Sequence, residues 1–117
     1  MLVLCYPKCG TCQKAIKWLD AQGVEYENRN IAVENPSCEE LKDWYAKSGL
    51  PLKKFFNTSG LLYKENKIKD KLPNMTEEEQ LMLLSTNGML VKRPIVIVGE
   101  KVLVGFKEAE WIEVIKE

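Results

Sequence analysis

An α/β fold built on a small mixed sheet is what this sequence predicts, and three observations carry the prediction. Leu2–Tyr6 is an almost wholly apolar run, helical spacing follows it, and two further apolar runs, Ile95–Val98 and Val102–Val104, flank Gly99-Glu100. A continuous apolar run suits a strand covered on both faces, and a short polar turn between two such runs suits a hairpin.

Taken in order, the first strand runs from Leu2 to Tyr6 and stops at Pro7. Lys14 to Ala21 then reads as a helix, with Ala15, Ile16 and Leu19 at helical spacing and Gly23 as its stop signal. Val24 to Ile31 places Val24, Tyr26 and Ile31 among polar residues and reads as a second strand, which completes a βαβ unit. Asn35-Pro36 breaks the chain before Ser37 and Glu40, a capping box that opens a helix carrying Leu41, Trp44 and Tyr45 and ending at Gly49. Leu50 to Pro73 is a mixed stretch of short helices and turns with a loop at Asn57–Gly60. Thr76 and Glu79 form a second capping box, for a helix through Leu81, Met82 and Leu84 to Asn87-Gly88. After the hairpin, Lys107 to Ile115 closes the chain as a helix presenting Ala109, Trp111, Ile112 and Ile115. Trp18, Trp44 and Trp111 all fall at helical positions and are expected to pack rather than to hold a cofactor. The order β-α-β, helical insert, β-β-α is the thioredoxin-like (glutaredoxin-like) arrangement. It implies one domain over residues 1–117, a four-stranded mixed sheet and a helical insertion at about 36–90.

Composition narrows the chemistry. A chain of 117 residues, 45% hydrophobic, is long enough for one ordinary core. Seventeen basic and seventeen acidic residues cancel, and no basic run appears, so direct nucleic-acid binding is not expected. No apolar stretch approaches the roughly 18 residues of a membrane span and no signal-peptide pattern opens the chain, so a cytoplasmic location is expected. The absence of histidine removes a Cys-His pair, a serine triad and the usual nitrogen ligands of zinc.

The motif that carries chemistry is Cys9-Gly10-Thr11-Cys12, a C-x-x-C between the first strand and the first helix. The unpaired N–H groups and positive end of a helix stabilise a thiolate there. Cys9 is therefore expected to be the more acidic thiol, in the range of roughly 3.5 to 7.5 against about 8.5 for a free cysteine. Cys12, one turn on, is placed to resolve what Cys9 attacks, and Gly10 and Thr11 are expected to shape a loop whose N–H groups face the substrate. Zinc is the competing use of the pair. Without histidine it would require Cys5 and Cys38 to converge on the motif, and no metal is expected. Cys5 reads as a small buried residue of the first strand, and Cys38 as an ordinary thiol in the first turn of a capped helix.

Tyr6–Cys12, Lys92–Val98 and Val104–Glu110 together resemble the arsenate reductase (ArsC-like) family, which also holds the Spx/MgsR transcription regulators. The resemblance runs over essentially the whole chain. It implies that Cys9 is the nucleophile, that Arg93 binds the oxyanion substrate, and that Pro94 lies opposite the active cysteine in the cis form, a state adopted by only about 5 to 6% of X-Pro bonds. It further implies no bound cofactor, and glutathione, glutaredoxin or thioredoxin as electron donor. On the regulator branch it implies contact with the C-terminal domain of the RNA polymerase alpha subunit. Three departures bear on the reaction. Gln13 stands where the family has an arginine, and two further family arginines fall near Asn57 and at Gly105 or Phe106, so that of these arginines only Arg93 remains. Each hydrogen bond to a charged group contributes about 1.5 to 3 kcal/mol, so two losses weaken oxyanion stabilisation by roughly two to four powers of ten. Against those losses the chain gains Cys12, which gives it a vicinal dithiol able to complete its own redox cycle.

Overall fold

The computed structural model describes residues 1–115. Four strands, β1 (Leu2–Cys5), β2 (Glu27–Asn30), β3 (Ile95–Val98) and β4 (Lys101–Val104), form one sheet in the order β2-β1-β3-β4. β1 pairs in parallel with β2 and antiparallel with β3, in a register that sets Cys5 opposite Asn30 and Leu4 opposite Ile95. β3 and β4 form the expected hairpin across Gly99-Glu100, with Gly99 at φ 57°, a left-handed conformation that glycine adopts without steric cost. The mixed four-stranded thioredoxin-like sheet is thus as the sequence predicts. The second strand is shorter than its pattern implies, because only Glu27–Asn30 ladder with β1 while Val24 and Tyr26 belong to the approach.

The sheet separates two cores. Alternate β1 side chains point to opposite faces, so Val3 and Cys5 pack with Cys12, Ala15, Leu19 and Trp111 on one side. Leu4 joins Ile31, Leu41, Phe55, Leu84 and Ile95 on the other. Helices α1 (Gly10–Gln22) and α6 (Glu108–Ile115) supply the first face. The second is covered by the helical insertion: α2 (Cys38–Ser48), the short helices α3 (Leu61–Glu65) and α4 (Ile68–Lys71), α5 (Glu77–Ser85), and three 3-10 turns.

Both capping boxes form as read. Ser37 and Glu40 exchange side-chain and backbone hydrogen bonds at α2, and Thr76 and Glu79 do the same at α5. Gly23 and Gly49 end α1 and α2, each in the left-handed conformation at φ 69°. Two helix faces differ from expectation. Met82 on α5 is 58% exposed and Ile112 on α6 is 44% exposed, and Ala109 is also outward. Inward positions on α5 are Leu81 and Leu84, and on α6 Trp111, Val114 and Ile115. The inward stripe on each helix is only one side of the cylinder, and a residue one position off it rotates toward solvent.

The insertion is tied to the sheet at two points. Phe56 and Val91 form a bridge, flanked by Lys92 N–H donating to the Phe55 carbonyl at 2.7 Å and Asn57 N–H donating to the Leu90 carbonyl at 2.8 Å. Gly88 lies so close to the chain leaving β2 that a Cβ there would run into the Ile31 carbonyl. No described helix is long and apolar enough to cross a membrane.

Candidate functional site

The site forms where the C-terminal end of β1 meets the N-terminal end of α1 and the chain entering β3. Beyond Cys5 the backbone turns, with Cys9 N–H donating to the Tyr6 carbonyl at 3.0 Å. Cys9 is the N-cap of α1: its backbone is extended (φ −89°, ψ 122°), and its carbonyl accepts the first helical bond from Gln13 N–H at 3.0 Å. Its side chain caps nothing, so the sulfur stays available at the helix end, half-buried. Gly10 and Thr11 form the exposed first turn of α1 itself rather than a preceding loop. Their N–H groups are among those a helix start leaves without intrahelical partners.

Cys12 is 1% exposed and belongs to the core between α1 and the sheet. Its sulfur accepts a hydrogen bond from Tyr6 N–H at 3.4 Å. The Cys5 thiol, on the inward face of β1, is its strongest neighbour: hydrogen bonding from Cys5, with help from Tyr6 N–H, Cys9 and the charge of Arg93, outweighs burial and lowers Cys12 to about 6. The same contact, together with burial, pushes the Cys5 thiol up, so Cys5 is the member of the pair that keeps its proton. Heightened acidity is therefore found at the second cysteine of the motif, whereas the helix-end argument directs attention to the first.

Arg93 and Pro94 reach this site through sheet register. Leu4 pairs with Ile95, so one step further along antiparallel β1 and β3 brings Pro94 and Arg93 beside Cys5 and Tyr6. The Arg93 guanidinium stacks over the Tyr6 ring, 5.3 Å from its centroid. Its Nε and Nη1 are buried and have no hydrogen-bond partner. The Arg93–Pro94 peptide is cis, and Pro94 is buried with its carbonyl accepting from Gly105 N–H at 2.8 Å. Cys9, Cys12, Arg93 and Pro94 thus lie in one region, where β1, α1 and the chain entering β3 meet.

The positions where family arginines are missing have other uses. Gln13 Nε2 donates to the Pro7 carbonyl at 2.9 Å, bracing the turn that precedes Cys9. Asn57 is engaged at the base of the insertion. Gly105, at φ 80°, turns the chain so that its carbonyl receives the buried Trp111 indole N–H at 3.1 Å. Cys38 packs against the insertion-side core, on the sheet face opposite the motif, so the four sulfurs do not converge. No cluster of three or more metal-ligating side chains occurs among the described residues.

Cys5 is a buried residue of the first strand, as read, and what the reading left out is its place beside Cys12. Its signal was present: with Val3 two residues before it on the same strand face, and Cys12, Ala15 and Leu19 along the inward stripe of α1, the two cysteines fall in one core cluster. Beside them, Pro7, Gln13, Ile16, Lys17, Asn28 and Asn30 join Cys5, Tyr6 and Cys12 around a cavity of about 390 Å³ between α1 and β2.

A four-stranded sheet of this order, carrying a dithiol where its first strand meets its first helix and a cis-proline beside it, defines a thioredoxin-like dithiol domain. The chain belongs to the ArsC family, whose sequence model matches residues 4–114. It is 59% identical to YusI of Bacillus subtilis (strain 168) over 108 residues, 92% of each chain. It is 29% identical to the regulatory protein MgsR of the same organism, over 96% of this chain and 87% of that protein. Among solved structures, an ArsC family-related protein from Bacteroides fragilis superposes with TM-score 0.94 at 61% identity, covering 97% of this chain and 95% of that one. A possible arsenate reductase from Streptococcus mutans superposes with TM-score 0.85 at 38% identity, covering 91% and 90%.

Proposed function

We propose that this protein is a cytoplasmic thiol-disulfide oxidoreductase in which the Cys9 thiolate attacks an oxidised substrate, Cys12 resolves the adduct, and Arg93 holds an anionic group of the substrate. The observation that carries this reading is the guanidinium of Arg93, with two buried nitrogens lacking partners beside the dithiol. An unsatisfied buried donor costs about 1–3 kcal/mol, which an oxyanion or carboxylate offsets through two parallel hydrogen bonds.

With a disulfide as substrate, Cys9 forms a bond to one sulfur and the other leaves as a thiolate. Cys12, deprotonated at neutral pH by its surroundings, then attacks Cys9 and releases the second substrate thiol. Two electrons pass from the dithiol to the substrate, and a thiol donor such as glutathione, glutaredoxin or thioredoxin returns them. With arsenate the same two electrons yield arsenite and water. The test is the intact mass of fully reduced protein after anaerobic exposure to a small disulfide or to arsenate, with the disulfide located by peptide mapping. Loss of two hydrogens at Cys9 and Cys12 is expected, with Cys9→Ser unable to form that disulfide and inert toward arsenate, and Cys12→Ser trapping a mixed disulfide with the small disulfide. No oxidation and no trapped adduct with either oxidant would overturn the reading.

A second reading is favoured by the likeness to MgsR: the Cys9–Cys12 disulfide switches an interaction with the C-terminal domain of the RNA polymerase alpha subunit. It predicts binding that differs between reduced and oxidised protein. Equal or absent binding in both states would remove it.

A further inference from the structure

The cycle just described uses two of the three sulfurs that meet at the start of α1. Cys5 is 4% exposed, ends β1 on the face toward α1, and packs in the same core cluster as Cys12. The cavity between α1 and β2 has both Cys5 and Cys12 in its lining, with Asn28, Asn30 and Lys17 around them, and Cys9 takes no part in it. Cys12 is therefore flanked by Cys9 toward the helix end and by Cys5 toward the cavity.

We propose that Cys12 is the common member of two alternative disulfides, Cys9–Cys12 and Cys5–Cys12, and that exchange between them moves the oxidation from the substrate side to the cavity. The proposal rests on the thiol-disulfide reading above. In the exchange the Cys5 thiolate attacks Cys12 Sγ, the Cys5–Cys12 bond forms as the Cys9–Cys12 bond breaks, and Cys9 leaves as a thiolate. The proton lost by Cys5 passes to solvent or to Cys9, and the protein as a whole neither gains nor loses electrons. The reduced state keeps Cys5 silent, since hydrogen bonding to Cys12 is the main influence that pushes its thiol up. Once Cys12 is held in a disulfide there is no Cys12 thiolate to receive that hydrogen bond, and Cys5 is easier to deprotonate. Cys9 is then free beside Arg93 for a second substrate while the new disulfide faces the cavity.

The sequence provides a direct readout. Lys8 separates Cys5 from Cys9, and Lys14 follows Cys12, so trypsin releases Cys5 in residues 1–8 and both motif cysteines in residues 9–14. The full chain is oxidised anaerobically with a small alkyl disulfide, quenched in acid, alkylated and digested at successive times. A loop within 9–14 is expected first, followed by peptide 1–8 linked to 9–14 with Cys9 alkylated. Cys5→Ala should keep the loop and lose the linked pair. Cys9→Ser should form the linked pair directly, because Cys12 can take the small disulfide and Cys5 can resolve it. Absence of the linked pair from both wild-type and Cys9→Ser protein would overturn the relay, as would a link from Cys5 to Cys9 with Cys12 alkylated. Absence of the 9–14 loop from wild type, by contrast, marks failure of the underlying dithiol reading.

Discussion

At the scale of single residues, the balance between Cys5 and Cys12 decides how the site titrates. Hydrogen bonding from Cys5 is the largest influence lowering Cys12 to about 6, so its removal should be visible in solution. In a Cys9→Ser background, the ultraviolet absorbance of the Cys12 thiolate should titrate with a midpoint near 6, and adding Cys5→Ala should move that midpoint up. An unchanged midpoint would assign the lowering to Tyr6 N–H and Arg93 instead. Stability follows by linkage. Between about 6 and the ordinary 9.0, folded Cys12 has released a proton that the unfolded chain still holds, so stability of the reduced protein rises with pH across that window and is lost as pH falls through 6. Cys5 has the opposite sign: its raised folded value preserves stability below 9.0 and erodes it above. Urea unfolding of the reduced protein should accordingly show a maximum near pH 9, displaced or flattened in Cys5→Ala. The motif cysteines were legible because C-x-x-C after an apolar strand has a local physical meaning. The place of Cys5 beside Cys12 was not, because a cysteine in a strand looks like any small apolar residue until the helix opposite it is in place.

Elements show a similar division. Capping boxes and glycine stops are written in adjacent residues, and Ser37, Glu40, Thr76, Glu79, Gly23 and Gly49 all act as read. What escaped the sequence is Arg29. No local pattern in the polar strand β2 singles it out, yet it donates to both Glu40 carboxylate oxygens at 2.8 and 2.9 Å and to the Glu34 and Asn35 carbonyls at 2.8 and 3.2 Å. Glu40 also accepts from Ser37 N–H at 3.0 Å, so a single carboxylate closes the α2 cap and grips β2. The Arg29 guanidinium beside it holds the Glu40 carboxyl below its usual range. Arg29→Ala should lower the unfolding free energy by about 2 kcal/mol in denaturant titrations, since it removes charge-assisted bonds and leaves two carbonyls without a donor. Ser37→Ala, which removes only the cap, should cost about 1 kcal/mol. Equal effects would mean that the ion pair contributes little beyond the cap.

For the whole molecule, element order made the topology readable, since β-α-β followed by β-β-α admits few sheets in which neighbours pair without crossing connections. The placing of the insertion was not readable, because it depends on contacts between residues far apart in the chain. Gly88 is one of them. Its backbone passes against the Ile31 carbonyl, and Asn35 Nδ2 donates to the Ser85 carbonyl nearby, so the end of the insertion is pinned to the exit from β2. Gly88→Ala should destabilise the protein by at least about 2 kcal/mol, because the obstacle is main chain rather than a side chain that can turn aside. A thermal melt unchanged from wild type would show that the insertion can shift without cost. The same substitution at Gly10, whose Cβ would meet nothing within 4 Å, should leave the melting temperature near that of wild type.

The strand at the outer limit of the sheet has a consequence of another kind. β2 lies at the edge of the sheet, and an edge strand is a template on which a second chain can add a strand and begin an aggregate. Its sequence, Glu-Asn-Arg-Asn, is poor in the β-branched and aromatic residues that favour strand addition. Two of its four residues carry charge, so an approaching strand would have to strip their hydration to dock. The dithiol thus lies one strand away from an edge whose composition disfavours strand addition, and β2 serves colloidal behaviour as much as it completes the fold.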